Sequence, residues 1–286
     1  LECQTVLTIK PIDAPCGAVV TGVDLTAGLA EREIIEIRSA WLEYHVLVFP
    51  RQKLENSDIE RFVLSFGRFG EDPFFDPIKG HKHIAAICRD ADEKTPLFAD
   101  NWHTDWSFQV KPPIGTCLYG IEIPASGGDT LFANQQLAFA ELPADFKARI
   151  EHLTAIHSAA SAYSLDGLYS DKLDRNVGRS MDIVVSEEAL KTQTHPLIRL
   201  HTETKRPAIY STAGYIQGFE ELGLEDGNAL LAELYEYQSS ARFVYRHKWE
   251  KGMLVLWDNR SVLHKATGGY DGHDRLLHRA TISQFD

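Results

Sequence analysis

Residues 253–282 read MLVLWDNRSVLHKATGGYDGHDRLLHRATI, and this stretch decides the fold. Its two ends, Met253 to Trp257 and Arg275 to Ile282, are short strand-type runs with no helical pattern between them. Further runs of the same kind lie upstream at Thr116 to Ile123, Thr130 to Ala133, Ala208 to Ser211 and Arg242 to Trp249, several alternating apolar with polar residues. Helical patterns interrupt them only at about Gln136 to Leu153 and Gly227 to Ser239. Strands joined by irregular connections, without regular βαβ alternation, predict a mainly β protein with flanking helices, built on an antiparallel double-sheet barrel of jelly-roll type.

The first third of the chain supplies the flanking helices. Apolar residues from Ile34 to Leu42 recur at helical spacing, which predicts a helix over Glu31 to Glu43. His45 to Pro50 (HVLVFP) reads as a buried strand, and Ser57 to Phe66 as a second helix with Ser57 as its N-cap. Between Gly67 and Asn101 the chain is rich in Pro, Asp, Lys and Phe, which predicts a long irregular segment over the site. No internal repeat or low-complexity block appears, so residues 1–286 are expected to form a single domain.

Composition excludes some functions. The 286 residues are 44% hydrophobic and 24% charged, an ordinary globular balance. With 29 Lys+Arg against 41 Asp+Glu the net charge is -12, which repels a nucleic-acid backbone. A small anionic ligand therefore needs an arginine inside its cleft. The four cysteines, Cys3, Cys16, Cys88 and Cys117, are scattered without a disulfide or zinc-knuckle spacing, so a reducing cytoplasm is the expected compartment. No leader pattern or membrane-length apolar run appears, and a homo-oligomer is allowed by the pattern.

Asn101-Trp102-His103-Thr104-Asp105 places an imidazole and a carboxylate two residues apart, on one side of an extended backbone. A distant histidine would complete a triad of two histidines and one carboxylate with an open face, suited to non-haem iron(II) and O2 activation. His264 is the candidate, followed eleven residues later by Arg275, whose guanidinium can pair with a dicarboxylate through two parallel hydrogen bonds. The remaining histidines, His195 among them, lack a partnered pattern and are read as surface or core residues. Trp102 and Trp257 flank the motifs as packing, and Trp106 is singled out because it follows the carboxylate ligand.

His103, Asp105, Thr130 in Gly127-Gly128-Asp129-Thr130, His264, Arg275 and Arg279 together resemble the TauD/TfdA family of iron(II)- and 2-oxoglutarate-dependent dioxygenases, from Gly22-Val23-Asp24-Leu25 to His278-Arg279-Ala280-Thr281-Ile282. The resemblance implies a double-stranded β-helix and an enzyme that uses Fe(II), 2-oxoglutarate and O2. It gives His103, Asp105 and His264 to iron, Thr130 and Arg275 to the distal carboxylate of 2-oxoglutarate, and Arg279 to the acidic group of the prime substrate. Aligned without gaps from Phe66-Gly67, the taurine enzymes' sulfonate-binding histidine falls on Asp72, their tyrosine on Phe75 and their asparagine on Ala99. A carboxylate beside a sulfonate would repel it, which speaks against taurine.

Ile156-His157-Ser158-Ala159 and Cys88-Arg89-Asp90-Ala91-Asp92-Glu93 are closer to the aryloxyalkanoate dioxygenases, for which Phe74, Phe75 and Tyr163 would form an aromatic wall. Asp72 with Arg279 would equally hold the two ends of a zwitterion. The expected substrate is a small organic acid, carboxylate or sulfonate. Two other classes stay open at this point: a zinc-dependent hydrolase, which leaves Thr130 and Arg275 without work, and a non-catalytic jelly-roll binding protein.

Overall fold

The computed structural model describes residues 6–170 and 172–285, so Cys3 lies outside the described residues. The strands Met253 to Trp257 and Arg275 to Ile282 appear as Leu254–Asp258 and Arg275–Ser283. They flank Gly115–Glu122 in the centre of a nine-stranded sheet. Beyond Leu254–Asp258 lie Val46–Phe49, Ala18–Thr21 and Thr8–Pro11, and beyond Arg275–Ser283 lie His81–Arg89 and Pro77–Ile78. All pairs in this path are antiparallel except Ala18–Thr21 with Val46–Phe49. A smaller sheet has Thr130–Asn134 between Val244–His247 and Val262–Ala266.

Strand alternation explains the layering. Val46, Val48, Val255, Trp257 and Leu277 of the large sheet share one core with Phe132, Tyr245 and Val262 of the small sheet, so the two sheets pack face to face. Their alternate neighbours Leu47, Phe49, Leu254, Leu256, Ala280 and Ile282 point the other way, onto Ile37 and Trp41 of the helix Glu31–Tyr44 and Ile59, Phe62 and Phe66 of the helix Asn56–Phe66. Buried on both faces, these strands read as continuous apolar runs. Burying such side chains contributes roughly 1.5 to 3 kcal/mol each. Gly115 lets the helix approach: a Cβ there would stand 2.4 Å from Trp41 Cζ2. The jelly roll is the observed architecture.

Four local readings are corrected. The second helix begins at Asn56 with Glu55 rather than Ser57 as its cap, and Asp58 reaches back to accept from the Glu55 N–H at 2.9 Å. The segment Gly67 to Asn101 is not wholly irregular, because it contains the nine-residue strand His81–Arg89. Gln136 to Leu153 is two helices, Gln135–Ala140 and Ala144–Ile150, with Pro143 as the second N-cap. Arg242 to Trp249 opens with a 3-10 turn at Ala241–Phe243 before the strand Val244–His247. No helix among the described residues is long and apolar enough to cross a membrane.

Candidate active site

Backbone pairing brings the two distant histidines together. The His103 N–H donates to the His264 carbonyl at 3.0 Å and the His264 N–H to the His103 carbonyl at 2.7 Å, an isolated bridge that adds His103 to the edge of the small sheet. The imidazole centroids stand 4.1 Å apart. Asp105 follows at the start of a turn, and its Oδ1 lies 3.9 Å from His103 Nε2 and 3.8 Å from His264 Nε2. The three ligand atoms lie within 4.8 Å of one another, a spacing that one ion can bridge with small side-chain adjustments.

The surroundings prepare each ligand. His103 Nδ1 lies 2.8 Å from the Asn101 carbonyl, which fixes the proton on Nδ1 and turns the Nε2 lone pair toward Asp105 and His264. Burial lowers the pKa of both histidines, that of His264 well below the ordinary range, so both are neutral and able to ligate. Burial opposes ionisation of Asp105, but Arg279, the two imidazoles and the Thr116 hydroxyl outweigh it and hold the carboxyl well below the usual range. Thr116 donates to Asp105 Oδ2 at 2.6 Å, and Asn259, itself held by Trp257 Nε1 at 2.9 Å, donates to Thr116. Two imidazoles and one carboxylate, buried and with the opposite side facing a cavity, fit an octahedral metal that keeps positions open for ligands.

That cavity, about 690 Å³, is lined by His103, His264, Thr130, Arg275 and Arg279 together. Arg275 and Arg279 face the same side of their strand, as an even separation requires, with Leu277 between them turned into the core. Arg275 Nη2 donates to the Gly128 carbonyl at 3.1 Å, while its buried Nε has no hydrogen-bond partner. Burial lowers its pKa, and no carboxylate among the described residues stands within ion-pair distance. Gly128 has φ of +68° and a Cβ there would come 3.0 Å from Arg275 Nε, so glycine is needed for both the turn and the arginine. The Thr130 hydroxyl accepts from Trp249 Nε1 at 2.9 Å.

Arg279 differs from Arg275. Its Nη1 donates to Asp105 Oδ1 at 3.0 Å and its Nε to Asp72 Oδ1 at 3.2 Å, while Nη2 nears Asp72 at 3.2 Å without hydrogen-bond geometry. Asp72 is further held by Trp106 Nε1 at 2.5 Å and Thr281 Oγ1 at 3.2 Å. Trp106 and Phe75 flank the guanidinium at 5.0 and 5.4 Å. Asp72 and Phe75 border an outer groove on the far side of Arg279, Ala99 lines the cavity, and Tyr163 lines an adjoining chamber that shares Phe98, Ala99 and His103 with it. Tyr163 also stacks on Phe74 at 4.6 Å.

Sequence reasoning missed several lining residues. Ile87, Cys88 and Arg89 end the strand His81–Arg89, whose short apolar run Ile84 to Cys88 was the available signal. Arg179, Met181 and Tyr270 come from connections with no pattern to mark them. The neutral His195, which contacts the Gln109 carbonyl at 3.1 Å, lines neither chamber.

The comparisons agree with this geometry. The family profile "Taurine catabolism dioxygenase TauD, TfdA family" matches residues 8–281. The alpha-ketoglutarate-dependent 2,4-dichlorophenoxyacetate dioxygenase of Cupriavidus pinatubonensis is 32% identical, with 95% of this chain and 96% of that protein covered. An alkylsulfatase of Acinetobacter baylyi is 29% identical over 97% of this chain and 85% of its own length. The crystal structure of a taurine dioxygenase from Burkholderia xenovorans superposes with a TM-score of 0.79 at 28% identity, covering 97% of this chain and 91% of that one. With the triad, the jelly roll and the profile match running through one another, the chain belongs to the TauD/TfdA family of iron(II)- and 2-oxoglutarate-dependent dioxygenases.

Proposed function

We propose that this dioxygenase hydroxylates a small anionic organic acid, carboxylate or sulfonate, and that hydroxylation at a carbon bearing a heteroatom cleaves that bond. The observation that carries the 2-oxoglutarate-dependent chemistry of this reading is Arg275, buried in the cavity of the triad with no carboxylate partner among the described residues. A desolvated guanidinium is costly unless an anion reaches it, and 2-oxoglutarate has a distal carboxylate to offer.

In this reading His103, Asp105 and His264 hold iron, and Arg275 with the Thr130 hydroxyl orients 2-oxoglutarate. Bound iron with this cosubstrate supplies O2 activation and the oxidising power for C–H hydroxylation, with succinate and carbon dioxide as co-products. Instead of the substrate role that the family resemblance implies for it, Arg279 is compensated by Asp105 and Asp72 and fixes Asp105, while Ala99 and Tyr163 shape the space beside His103. Asp72 and Phe75 act through Arg279, which they hold from behind. The chain works as a single domain, and the free thiols of Cys16, Cys88 and Cys117 suit a reducing cytoplasm.

Family membership sets aside the hydrolase and the non-catalytic binding protein, both of which leave Arg275 and Thr130 unused. The test is succinate release dependent on added iron(II) and 2-oxoglutarate, screened with aryloxyalkanoates, alkyl sulfates, taurine and amino acids. Stimulation by at least one acid and by none of the corresponding amides is expected. Stimulation by neutral compounds alone would refute the anionic substrate.

A further inference from the structure

Four arginines line the cavity, Arg89, Arg179, Arg275 and Arg279, and their partners differ. Arg89 is closed by Glu93 at 3.1 Å. Arg279 is shared between Asp105 and Asp72. Arg275 is assigned above to 2-oxoglutarate. Arg179 remains: its Nη2 donates to the Pro96 carbonyl at 3.1 Å and Asn176 Oδ1 at 3.2 Å, and its guanidinium lies 5.3 Å from the Tyr169 ring. Its Nε is buried with no hydrogen-bond partner, and among the described residues no carboxylate stands within ion-pair distance.

Charge counting points the same way. Four arginines meet three carboxylates, Asp72, Asp105 and Glu93, while iron(II) and doubly charged 2-oxoglutarate cancel. One positive charge is left over. Arg279 cannot supply it, because two carboxylates already compensate its guanidinium. A second anion entering this cavity settles where a half-buried, uncompensated cation faces it.

Resting on the function proposed above, we infer that Arg179 receives the acidic group of the prime substrate and sets its specificity for monoanions. The substrate's apolar body then lies along Ile87, Phe98 and Met181, which line the cavity with it. A dianion exceeds the free charge, and a neutral ligand leaves Arg179 uncompensated. The guanidinium's planar fork suits a carboxylate, with the Tyr169 ring 5.3 Å away.

The experiment is calorimetric titration of the enzyme loaded anaerobically with iron(II) and 2-oxoglutarate, using phenoxyacetate and hexanoate as probes against phenoxyacetamide and hexanamide. At least one wild-type acid should bind tenfold or more tightly than its amide. Arg179→Gln, which keeps donors for Pro96 and Asn176, should erase that preference while changing 2-oxoglutarate affinity less than twofold. Arg179→Lys should restore part of it. Undiminished acid preference in Arg179→Gln, equal loss of acid and amide binding, or wild type that binds neither acid overturns the proposal. Absence of iron-dependent 2-oxoglutarate binding in wild type, titrated without any probe, would instead overturn the function beneath it and the inference together.

Discussion

Arg279 donates to Asp105, the carboxylate of the metal triad, at 3.0 Å, and the same guanidinium bonds Asp72. It is therefore part of the wall that aims Asp105 as well as a neighbour of the substrate. Arg279→Ala leaves the buried Asp105 and the partly buried Asp72 without their cation, a loss of about 3 to 5 kcal/mol in stability. Iron affinity and both coupled and uncoupled turnover should fall together. Adding Asp72→Asn to Arg279→Ala should recover a measurable part of the stability in urea unfolding, since one orphaned charge is removed. Additive losses in that double-mutant cycle would mean that the two residues are not coupled.

Arg275→Ala should raise the 2-oxoglutarate requirement by two orders of magnitude or more, on the order of 3 kcal/mol for a buried carboxylate that loses its partner. Arg275→Lys should recover part, because a point charge cannot reproduce the fork. Gly128→Ala should act in the same direction through its clash with Arg275 Nε. An unchanged Michaelis constant for 2-oxoglutarate in Arg275→Ala would remove this residue from the cosubstrate site.

The barrel and the triad were legible in the sequence because their signals are local. MLVLW and VLVF alternate between two buried faces, and H-x-D with a later histidine defines a donor set wherever it occurs. The pairing of Asp72 with Arg279 was hidden because it joins residues 207 positions apart through a geometry that no spacing encodes. Arg179 was hidden for another reason. It lies in a connection whose shape depends on Glu93, which accepts from Ser180 and Thr95 and pairs with Arg89. The strand His81–Arg89 was obscured by flanking Pro, Lys and Gly, which outweighed its short apolar run.

His103→Ala, Asp105→Ala and His264→Ala should each abolish turnover while circular dichroism stays unchanged, since each removes one of three protein ligands. Asp105→Asn should also weaken iron binding, because it substitutes a neutral amide for the anionic ligand. Full activity in any one of these purified variants would exclude that residue from the triad.

The last prediction concerns acid stability, and it rests on buried histidines away from the metal. Burial lowers His45 and His247 to about 4 and His157 to about 3, the last helped by His195 and Arg199. Each titrates near 6.5 in the unfolded chain. Between that value and the folded pKa the unfolded state binds more protons, so stability rises with pH there and is lost as pH falls through this window. Each histidine contributes a slope of up to about 1.4 kcal/mol per pH unit. The depressed carboxylates Asp105 and Asp258 titrate at about 3.9 in the unfolded chain and lower in the folded one, so they add to the decline below about pH 5 but account for little of a slope between pH 5 and 6. Urea unfolding should therefore give a flat stability above about pH 7 with respect to these groups and a steep decline toward pH 4. His247→Phe keeps the ring that packs edge-on against Trp249 at 4.7 Å and removes an imidazole whose Nε2 has no partner. The variant should lose one proton's worth of slope between pH 4.5 and 6, even if the lost contact from Tyr245 to Nδ1 shifts the whole curve. An identical slope in His247→Phe and wild type would show that His247 is not held neutral in the folded protein.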